Sequence, residues 1–555
     1  MTFGFAKKIL PSWKNLLLAI FAAALLILAF PDFEYWFLAW IALVPLMWAV
    51  EREKASTAKS FVLGWIFGTI FFFGTCWWLT YAPIHFALFP PLLAYSLIMI
   101  ACLGAGIFPG IFSAVSSLLL RRFRSWAYLA VPFVWVATEF LRYGVTGNSW
   151  NAIGYSQAFT NSRLVTFAGV GGVAFVSFLV VLPLFLLQTP LLALIFRGPS
   201  KIGPFYEQPP ANSNEEFRQP IRRSAAIYSI AVSILFFSGI LLTDFILFGP
   251  PTAKPGRKKS AYLVAVQPNV PASGLDQFNW QQLRDKQFAA AQTKVDNLST
   301  GDVILPTVVV LPESPMNFAY NDDREFQNFV NDFVRKNNFS VLFNSSEPEK
   351  GATKYFNSAV MVGPDGKQVG QYDKLYLLPF GEAVPWFLEG IVPGFVGNFA
   401  YGREYDLFPV GDAKAGVMIC FESHFGQLSR EYVRNGADVI IEMTNDGYLG
   451  PTPVLRQHLA NAVFRAVETN RPVLRVTNVG ITAYISERGE VLDAAPSYQE
   501  DTRVWSVSKS DGSQTFYVKY GDWFAWLCSI LTIGLLIFGI ATGRRSSPTA
   551  TNNIA

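Results

Sequence analysis

Long apolar runs fill most of the first 250 residues of the chain, with short polar stretches between them. A helix needs about 20 mostly apolar residues to cross a bilayer, so these runs predict seven transmembrane helices, and a last run predicts an eighth. Several runs exceed that length, which favours tilted or broken helices. The predicted helices are Asn15–Phe30, Tyr35–Val50, Ser60–Tyr81, Pro91–Leu120, Trp126–Leu141, Thr166–Phe196, Ala225–Phe248 and Trp523–Thr542.

Between residues 260 and 505 the pattern changes to short β-type runs that alternate with helical segments. This alternation is typical of a layered α/β domain in which helices cover a sheet, and the segments VGPDGKQVG and ISERGEVLD predict hairpins. Strands are predicted at Ala261–Gln267, Val308–Glu313, Val341–Ser345, Ser358–Val362, Gly416–Cys420, Asp438–Met443 and Val473–Val476, and helices near Leu283–Val295, Asp323–Lys336, Phe425–Asn435 and Pro453–Asn470. The predicted domains are transmembrane helices one to seven (1–250), a linker (251–260), the α/β domain (261–508), helix eight (521–545) and a disordered tail (546–555).

Basic residues cluster on one side of the predicted helices. Lys and Arg concentrate before helix one, after helices two, four and six, and after helix eight, whereas the other loops carry few. The positive-inside rule therefore predicts that both termini are cytoplasmic and that the α/β domain is extracytoplasmic. The first run resembles a signal peptide, but a second run follows at once, so we interpret it as a retained anchor. The loop TEFLRYGVTGNSWNAIGYSQ lies on the outer side, where it could cap a site or only connect helices.

Composition excludes several classes of site. The chain is 52% hydrophobic and 15% charged, against a usual charged share of about 25%, and its formal net charge of +4 gives no argument for a nucleic-acid partner. Cys76, Cys102 and Cys528 lie in apolar runs, which leaves Cys420 as the one cysteine of the α/β domain. A disulfide framework and a multi-cysteine metal site are thus excluded there, and three scattered histidines are too few for a zinc cluster. We expect no metal and no cofactor.

Three stretches carry candidate chemistry. In AGVMICFESHF, a β-type run ends at Cys420 before a helical segment, whose N-terminus would favour a thiolate. VVVLPESP places Glu313 at the end of another strand, and YDKLYLLPFGE places Lys374 and Glu382 on a loop. A carboxylate, an ammonium and a thiol can act as general base, oxyanion stabiliser and nucleophile.

Other interpretations of these residues stay open. Cys420 could be a buried cysteine that ends a core strand. Cys420 and His424 could form a catalytic pair, although His424 would lie one turn further along a helix. His458 is interpreted as a partly buried helix residue. The segment Ala383–Tyr401 holds many large apolar side chains, Trp386, Phe387 and Phe395 among them, and would be either an arm in the outer leaflet or part of the core.

The ordered set LPES, YDKLYLLPFGE and ICFES resembles the Glu–Lys–Cys triad of the nitrilase superfamily. With eight membrane helices, the outer loop TEFLR…GYSQ and the strand AVQPNVP, nearly the whole chain resembles the membrane-embedded apolipoprotein N-acyltransferase family. The resemblance implies a nitrilase-like αββα sandwich inserted before the last helix of an eight-helix transmembrane bundle.

The resemblance also implies roles for individual residues. Cys420 would be the nucleophile, Glu313 the general base and Lys374 the oxyanion stabiliser. Glu382 would position the lysine or a proton. Three further residues match less specific family positions: Glu422, two residues after the nucleophile, Trp280 in the substrate region, and Phe421, where the family commonly has tyrosine.

The implied activity is transfer of a fatty acyl chain from a membrane phospholipid to the N-terminal amine of a diacylglyceryl-cysteine apolipoprotein, through a Cys thioester. The implied location is the bacterial inner membrane, with the catalytic domain facing the periplasm. Two alternatives use the same residues differently: a membrane-anchored amidase with water as acceptor, and a non-enzymic module that binds lipoproteins. The apolar segment Ala383–Tyr401 argues against the first, and the complete triad argues against the second.

Overall fold

The structure is a computed structural model, and it describes residues 9–160, 163–184, 238–239, 258–271, 277–297, 305–313, 318–351, 354–379, 381–384 and 399–544. Apart from residues 238–239, the predicted helix Ala225–Phe248 lies outside the described residues. So do most of the predicted linker and the whole predicted tail. The total of eight membrane helices therefore stays a prediction.

The N-terminal helices form where the apolar runs predict them, with shifted ends. They are α1 (Trp13–Leu28), α2 (Ala39–Glu53), α3 (Thr57–Cys76), α4 (Tyr81–His85), α5 (Pro91–Phe123), α6 (Val131–Thr146) and α7 (Ala168–Val181). Among the described residues, the stretches long and apolar enough to cross a membrane are Thr57–His85, Pro91–Phe123, Leu164–Val181 and Trp523–Ala541.

Two of the long runs are broken, as their length predicts. The run that begins with α3 continues through a 3-10 turn at Trp77–Thr80 into α4. The backbone of α7 is non-helical at Gly171 and Gly172. Gly172 has φ +67°, and a Cβ there would lie 2.7 Å from the Tyr517 ring. Glycine is therefore required where α7 meets the segment before the last helix.

The α/β domain contains two sheets. Their strands are β1 (Lys259–Gln267), β2 (Thr307–Val310), β3 (Ser340–Pro348), β4 (Tyr355–Val362), β5 (Gln368–Asp373), β6 (Phe399–Ala400), β7 (Leu407–Val410), β8 (Ala413–Ile419), β9 (Val439–Thr444), β10 (Val473–Thr477), β11 (Ala483–Ile485), β12 (Val491–Leu492) and β13 (Asp501–Ser508). The first sheet has the order β13-β1-β2-β3-β4-β5, with β6 beside β4, and the second has the order β12-β11-β10-β9-β8-β7.

The helices of this domain are α8 (Gln277–Asp296), α9 (Arg324–Asn337), α10 (Gly426–Arg434), α11 (Val454–Thr469) and α12 (Phe516–Tyr520), and the chain returns to the membrane in α13 (Trp523–Arg544). Side chains of β1 point alternately to two cores, as the period of a strand requires. Leu263 packs in a core shared with the second sheet, whereas Val264 packs with Phe288 of α8 and Val330 of α9. The domain therefore has four layers in the order αββα.

All predicted strands and helices of the domain form, but some ends were wrong. The strand predicted to reach Glu313 stops at Val310, and the strand predicted to reach Cys420 stops at Ile419. In both places the apolar pattern runs past the last ladder hydrogen bond. The edge strands β7 and β13 were not predicted, because their half-buried residues lack a continuous apolar run.

Helix α11 joins the α/β domain to the membrane helices. Every side chain from Val454 to Thr469 is buried except Arg456. Arg456 donates two hydrogen bonds, of 2.7 and 2.9 Å, to Glu34 in the loop before α2. The predicted outer loop after helix five also contacts this helix, since Tyr155 packs edge-on against Phe464 with ring centroids 4.8 Å apart. These loops of the apolar helices therefore pack against the α/β domain.

Candidate active site

Three strand ends place the candidate residues between the facing sheets. Glu313 follows β2, Lys374 directly follows β5, and Cys420 directly follows β8. Little solvent reaches these residues, since the side chain of Lys374 is 1% exposed and that of Glu313 is 15% exposed. Burial and hydrogen bonding therefore determine the protonation of these groups.

An ammonium lies between two carboxylates. Lys374 Nζ donates to Glu382 Oε1 at 2.9 Å and lies 3.6 Å from Glu313 Oε1. Asn357 Nδ2 donates to both acids, to Glu313 Oε1 at 3.0 Å and to Glu382 Oε1 at 2.6 Å. The Leu378 N–H donates to Glu382 Oε2 at 2.8 Å. Both carboxylates and the ammonium are thus held by hydrogen bonds to protein groups.

The two carboxyl groups have opposite pKa shifts. Burial would raise the pKa of Glu382, but the charge of Lys374 and the Leu378 N–H outweigh it, so this pKa is lowered. Burial and the charge of Glu382 raise the pKa of Glu313, although Lys374 opposes the rise. Burial would lower the pKa of Lys374, but both carboxylates outweigh it and raise the pKa. Glu382 is therefore a fixed counter-ion, and Glu313 is the group suited to exchange a proton.

The Cys420 thiol lies close enough to Glu313 for each group to shift the pKa of the other. Cys420 has φ +52°, a left-handed conformation that costs a non-glycine residue about 1–3 kcal/mol. Burial and the negative charge of Glu313 raise the thiol pKa well above its ordinary value. This direction is opposite to the expected preference for a thiolate at a helix N-terminus, because burial and the charge of Glu313 disfavour the anion.

Glu422 clamps the lysine loop to the cysteine turn. Its Oε1 accepts hydrogen bonds from the Tyr372 hydroxyl (2.7 Å) and from the N–H groups of Leu375 (2.7 Å) and Tyr376 (3.0 Å). Its Oε2 accepts one from the Ile419 N–H (2.8 Å). Burial raises the pKa of Glu422 to about 7. The carboxyl group therefore joins the residue after Lys374 to the residue before Cys420.

The histidines do not pair with the thiol. His424 Nδ1 bonds the Phe421 carbonyl at 2.7 Å, and its ring stacks on Trp150 at 4.2 Å. Burial and the neighbouring His458 hold the pKa of His424 well below its ordinary range. The loop that carries Trp150 thus packs against the cysteine turn. Phe421 packs between the rings of His424 and Phe425, at 4.8 and 5.3 Å.

Three other positions differ from or extend the sequence predictions. His458, predicted to be partly buried, is fully buried and ion-paired, because α11 lies between the sheet and the membrane helices. Trp280 packs against Phe318 at 5.8 Å, on the outer side of the first sheet. Asn357 was missed, since a strand asparagine carries no motif; its role depends on the register that sets β4 beside the site.

Some predicted site residues lie outside the described residues. They are Trp386, Phe387 and Phe395 of the predicted apolar arm. Within the described part of the chain, no group of three or more His, Cys, Asp or Glu side chains is arranged to hold a metal ion.

Each half of the chain matches a known protein family. The family described as apolipoprotein N-acyltransferase N-terminal domain matches residues 22–185, and the family described as carbon-nitrogen hydrolase matches residues 281–515. The apolipoprotein N-acyltransferase of Geobacter metallireducens is 29% identical, over 96% of this chain and 96% of its own. That of Thermotoga maritima is 27% identical, over 96% of each chain.

Among the solved structures similar to part of the chain is a mutant of the amidase of the nitrilase superfamily from Nesterenkonia AN1. It is 15% identical, covers 48% of this chain and 96% of its own, and has a TM-score of 0.35. The two family matches occur in the same order and on the same halves as the membrane helices and the αββα domain. The chain therefore belongs to the apolipoprotein N-acyltransferase family, and its C-terminal half is a carbon-nitrogen hydrolase domain.

Proposed function

We propose that the protein transfers a fatty acyl chain from a membrane phospholipid to the N-terminal amine of a diacylglyceryl-cysteine apolipoprotein, through a thioester on Cys420. Relatives named for lipoprotein N-acylation along nearly the full length of the chain support the general activity. The observation that carries the proposed chemistry is the convergence of Glu313, Lys374 and Cys420 between the two sheets.

In the first half-reaction Glu313 accepts the thiol proton of Cys420, and sulfur attacks the carbonyl carbon of the phospholipid ester. Lys374, held by Glu382 at 2.9 Å, faces the negative charge that develops on the carbonyl oxygen. The C–O bond of the ester then breaks while the C–S bond remains. Glu313 returns its proton to the departing oxygen, and a lysophospholipid leaves.

In the second half-reaction the amine of the apolipoprotein attacks the thioester carbon. Glu313 takes a proton from the attacking nitrogen, and Lys374 again faces the oxyanion. The C–N bond forms, the C–S bond breaks, and the proton goes to the Cys420 sulfur. The site returns to its starting protonation state, so one carboxyl group serves both halves.

The membrane helices favour a lipid donor over a soluble amide. Outer loops of the bundle contact the catalytic domain through Glu34, Trp150 and Tyr155, so the site lies next to the ends of the apolar helices. With the predicted orientation, the donor would come from the outer leaflet of the inner membrane and the acceptor from the periplasm. A membrane-anchored amidase would need neither a lipid donor from the outer leaflet nor a lipoprotein acceptor.

The test is to incubate purified protein with phospholipid and to measure the mass of the Cys420 peptide, then to add a diacylated lipopeptide. We expect one acyl group on Cys420 and its transfer to the lipopeptide. Cys420→Ala should abolish both steps. Glu313→Gln and Lys374→Ala should slow acylation by on the order of 10²-fold or more.

Gln282→Asn, at an exposed position of α8 outside the triad, is the matched control for folding in detergent. A lipopeptide acylated at a normal rate by Cys420→Ala would contradict the thioester mechanism. Release of free fatty acid with no lipopeptide product would favour the hydrolase with water as acceptor. Binding of lipopeptide with no chemistry at all would favour the non-enzymic module.

A further inference from the structure

Directly behind the cysteine turn lies a buried ionic cluster, the quartet Glu442, Asp446, His458 and Arg475. Arg475 Nη1 donates to Glu442 Oε1 at 2.6 Å, and Nη2 donates to Asp446 Oδ2 at 2.8 Å. His458 Nδ1 bonds Asp446 Oδ1 at 2.7 Å. All four side chains are at most 4% exposed. The quartet brings together β9, the turn after β9, α11 and β10.

The geometry specifies the protonation of His458. Its Nδ1 faces the Asp446 carboxylate, and its Nε2 faces Glu442 Oε1 at 3.2 Å and the Cys420 carbonyl oxygen at 3.2 Å. These oxygens can only accept, so both ring nitrogens must carry hydrogen. The Ser423 hydroxyl, 3.0 Å from Nε2, can adapt to either state. His458 is thus an imidazolium, and the quartet carries two positive and two negative charges.

The quartet contacts the nucleophile of the proposed reaction and adjoins a residue that bonds the base. On one side His458 donates to the carbonyl of Cys420, the residue in the left-handed conformation. On the other side Asp446 continues the turn in which the Asn445 N–H donates to Glu313 Oε2 at 3.2 Å. The quartet therefore bonds the backbone of Cys420 and lies next in sequence to the Asn445 N–H that bonds the carboxylate of Glu313.

We propose that His458 is a positioning residue for the nucleophile: by donating to the carbonyl oxygen of Cys420 from the ionic quartet, it holds the strained turn that aims the thiol at Glu313. This inference rests on the proposed role of Cys420. His458 bonds the Cys420 carbonyl, Asp446 and Ser423, so its proposed effect on the thiol is on geometry. A displacement of about 1 Å at a reacting group can cost on the order of 10²-fold in rate.

The test compares His458→Gln with Arg471→Gln. Arg471 is a buried cation that donates to the carbonyls of Ala437 and Asn470, near the start of β9 and away from the cysteine turn. The rate of Cys420 acylation by a small soluble activated ester is measured by mass spectrometry. Varying the ester concentration gives kcat and KM as separate values. The melting temperature of each protein is measured in the same detergent. We expect His458→Gln to lower kcat on the order of 10²-fold with KM nearly unchanged, and Arg471→Gln to keep the wild-type kcat.

Two results would overturn the proposal. One is a kcat for His458→Gln within threefold of wild type. The other is a loss that His458→Gln shares with Arg471→Gln, or a His458→Gln protein that fails to fold while Arg471→Gln folds, because His458 would then be only structural. Alkylation of Cys420 by iodoacetamide gives the same comparison without an acyl donor. Wild-type protein that is alkylated but never acylated would contradict the proposed function and leave the role of His458 measurable.

Discussion

At the scale of single residues, the two glutamates of the site have different surroundings and therefore opposite pKa shifts. Glu382 accepts from the Lys374 ammonium and from a backbone N–H, which lower its pKa, whereas Glu313 keeps a raised pKa because burial and Glu382 outweigh Lys374. The same ammonium therefore has one partner that stays ionised and one that can take up a proton. This asymmetry gives a signed prediction for the pH dependence of acylation.

Glu382→Gln should shift the acid limb of the pH–rate profile to lower pH. Glu313 must be ionised to accept the thiol proton, so the wild-type limb should lie above the ordinary glutamate value of 4.5. The charge of Glu382 raises the pKa of Glu313, so its removal lowers that pKa. The maximal rate should also fall, because Lys374 loses a partner. The measurement is the rate of Cys420 acylation from pH 4 to pH 8.

Glu325→Gln serves as the control for this shift, since Glu325 is an exposed acid of α9 paired with Arg284. It should leave the limb where wild type has it. A limb that stays in place or moves to higher pH in Glu382→Gln would show that Glu382 does not act on Glu313 through its charge.

At the scale of elements, α11 is the helix through which the α/β domain contacts the membrane helices. It is buried on all sides because one face lies on the second sheet and the other meets the membrane helices. Gln457 shows the consequence: its Oε1 accepts from the Trp78 and Trp150 indoles (3.2 and 3.0 Å), and its Nε2 donates to the Thr75 carbonyl (3.0 Å). One side chain thus joins three parts of the chain.

Gln457→Leu should lower the stability of the folded protein. The substitution removes the acceptor of the Trp150 indole and a donor to Thr75, and each buried polar group left without a partner costs about 1–3 kcal/mol. The melting temperature in detergent should fall by several degrees. Gln282→Leu, on the exposed side of α8, should leave it nearly unchanged. Equal melting temperatures for both variants would mean that water replaces the lost partners.

At the scale of the whole molecule, contacts show which loops lie at the end of the apolar helices that meets the α/β domain. The loop before α2, the turn around Trp78 and the segment around Trp150 all meet the α/β domain. At the opposite end, Arg121 bonds the Ala55 carbonyl and the Thr57 hydroxyl in the loop between α2 and α3. Because the basic loops lie at that far end, the catalytic domain is predicted to face away from the cytoplasm.

A pair of introduced cysteines tests this orientation. Lys367→Cys lies in the β4–β5 hairpin, where the lysine side chain is 81% exposed. Lys54→Cys lies at the far end, where the lysine is 38% exposed. A membrane-impermeant thiol reagent added to intact spheroplasts should label the first and should reach the second only after lysis. The wild-type chain measures the background from its own cysteines, and the reverse pattern would invert the orientation and remove access to periplasmic lipoproteins.

Local patterns in the sequence were enough to predict most of the helices and strands and the candidate site residues at their ends. Apolar runs and strand periodicity are local properties, so the helices, the strands and the positions of Glu313, Lys374 and Cys420 next to strand ends could be predicted. The order of the three motifs also made it possible to predict the protein family. The strand predicted to end at Cys420 ends one residue earlier, at Ile419, because apolar character does not end where hydrogen bonding ends.

Properties that depend on neighbours distant in the sequence needed the folded chain. His458 was predicted to be partly buried, since its helix pattern cannot reveal that α11 is covered on a second side by membrane helices. The raised pKa of the Cys420 thiol comes from burial and from Glu313, more than a hundred residues away in the chain. Asn357 and Asn445 reach the site only through strand register. Burial, charge proximity and register are set by contacts between distant segments, and no local pattern records them.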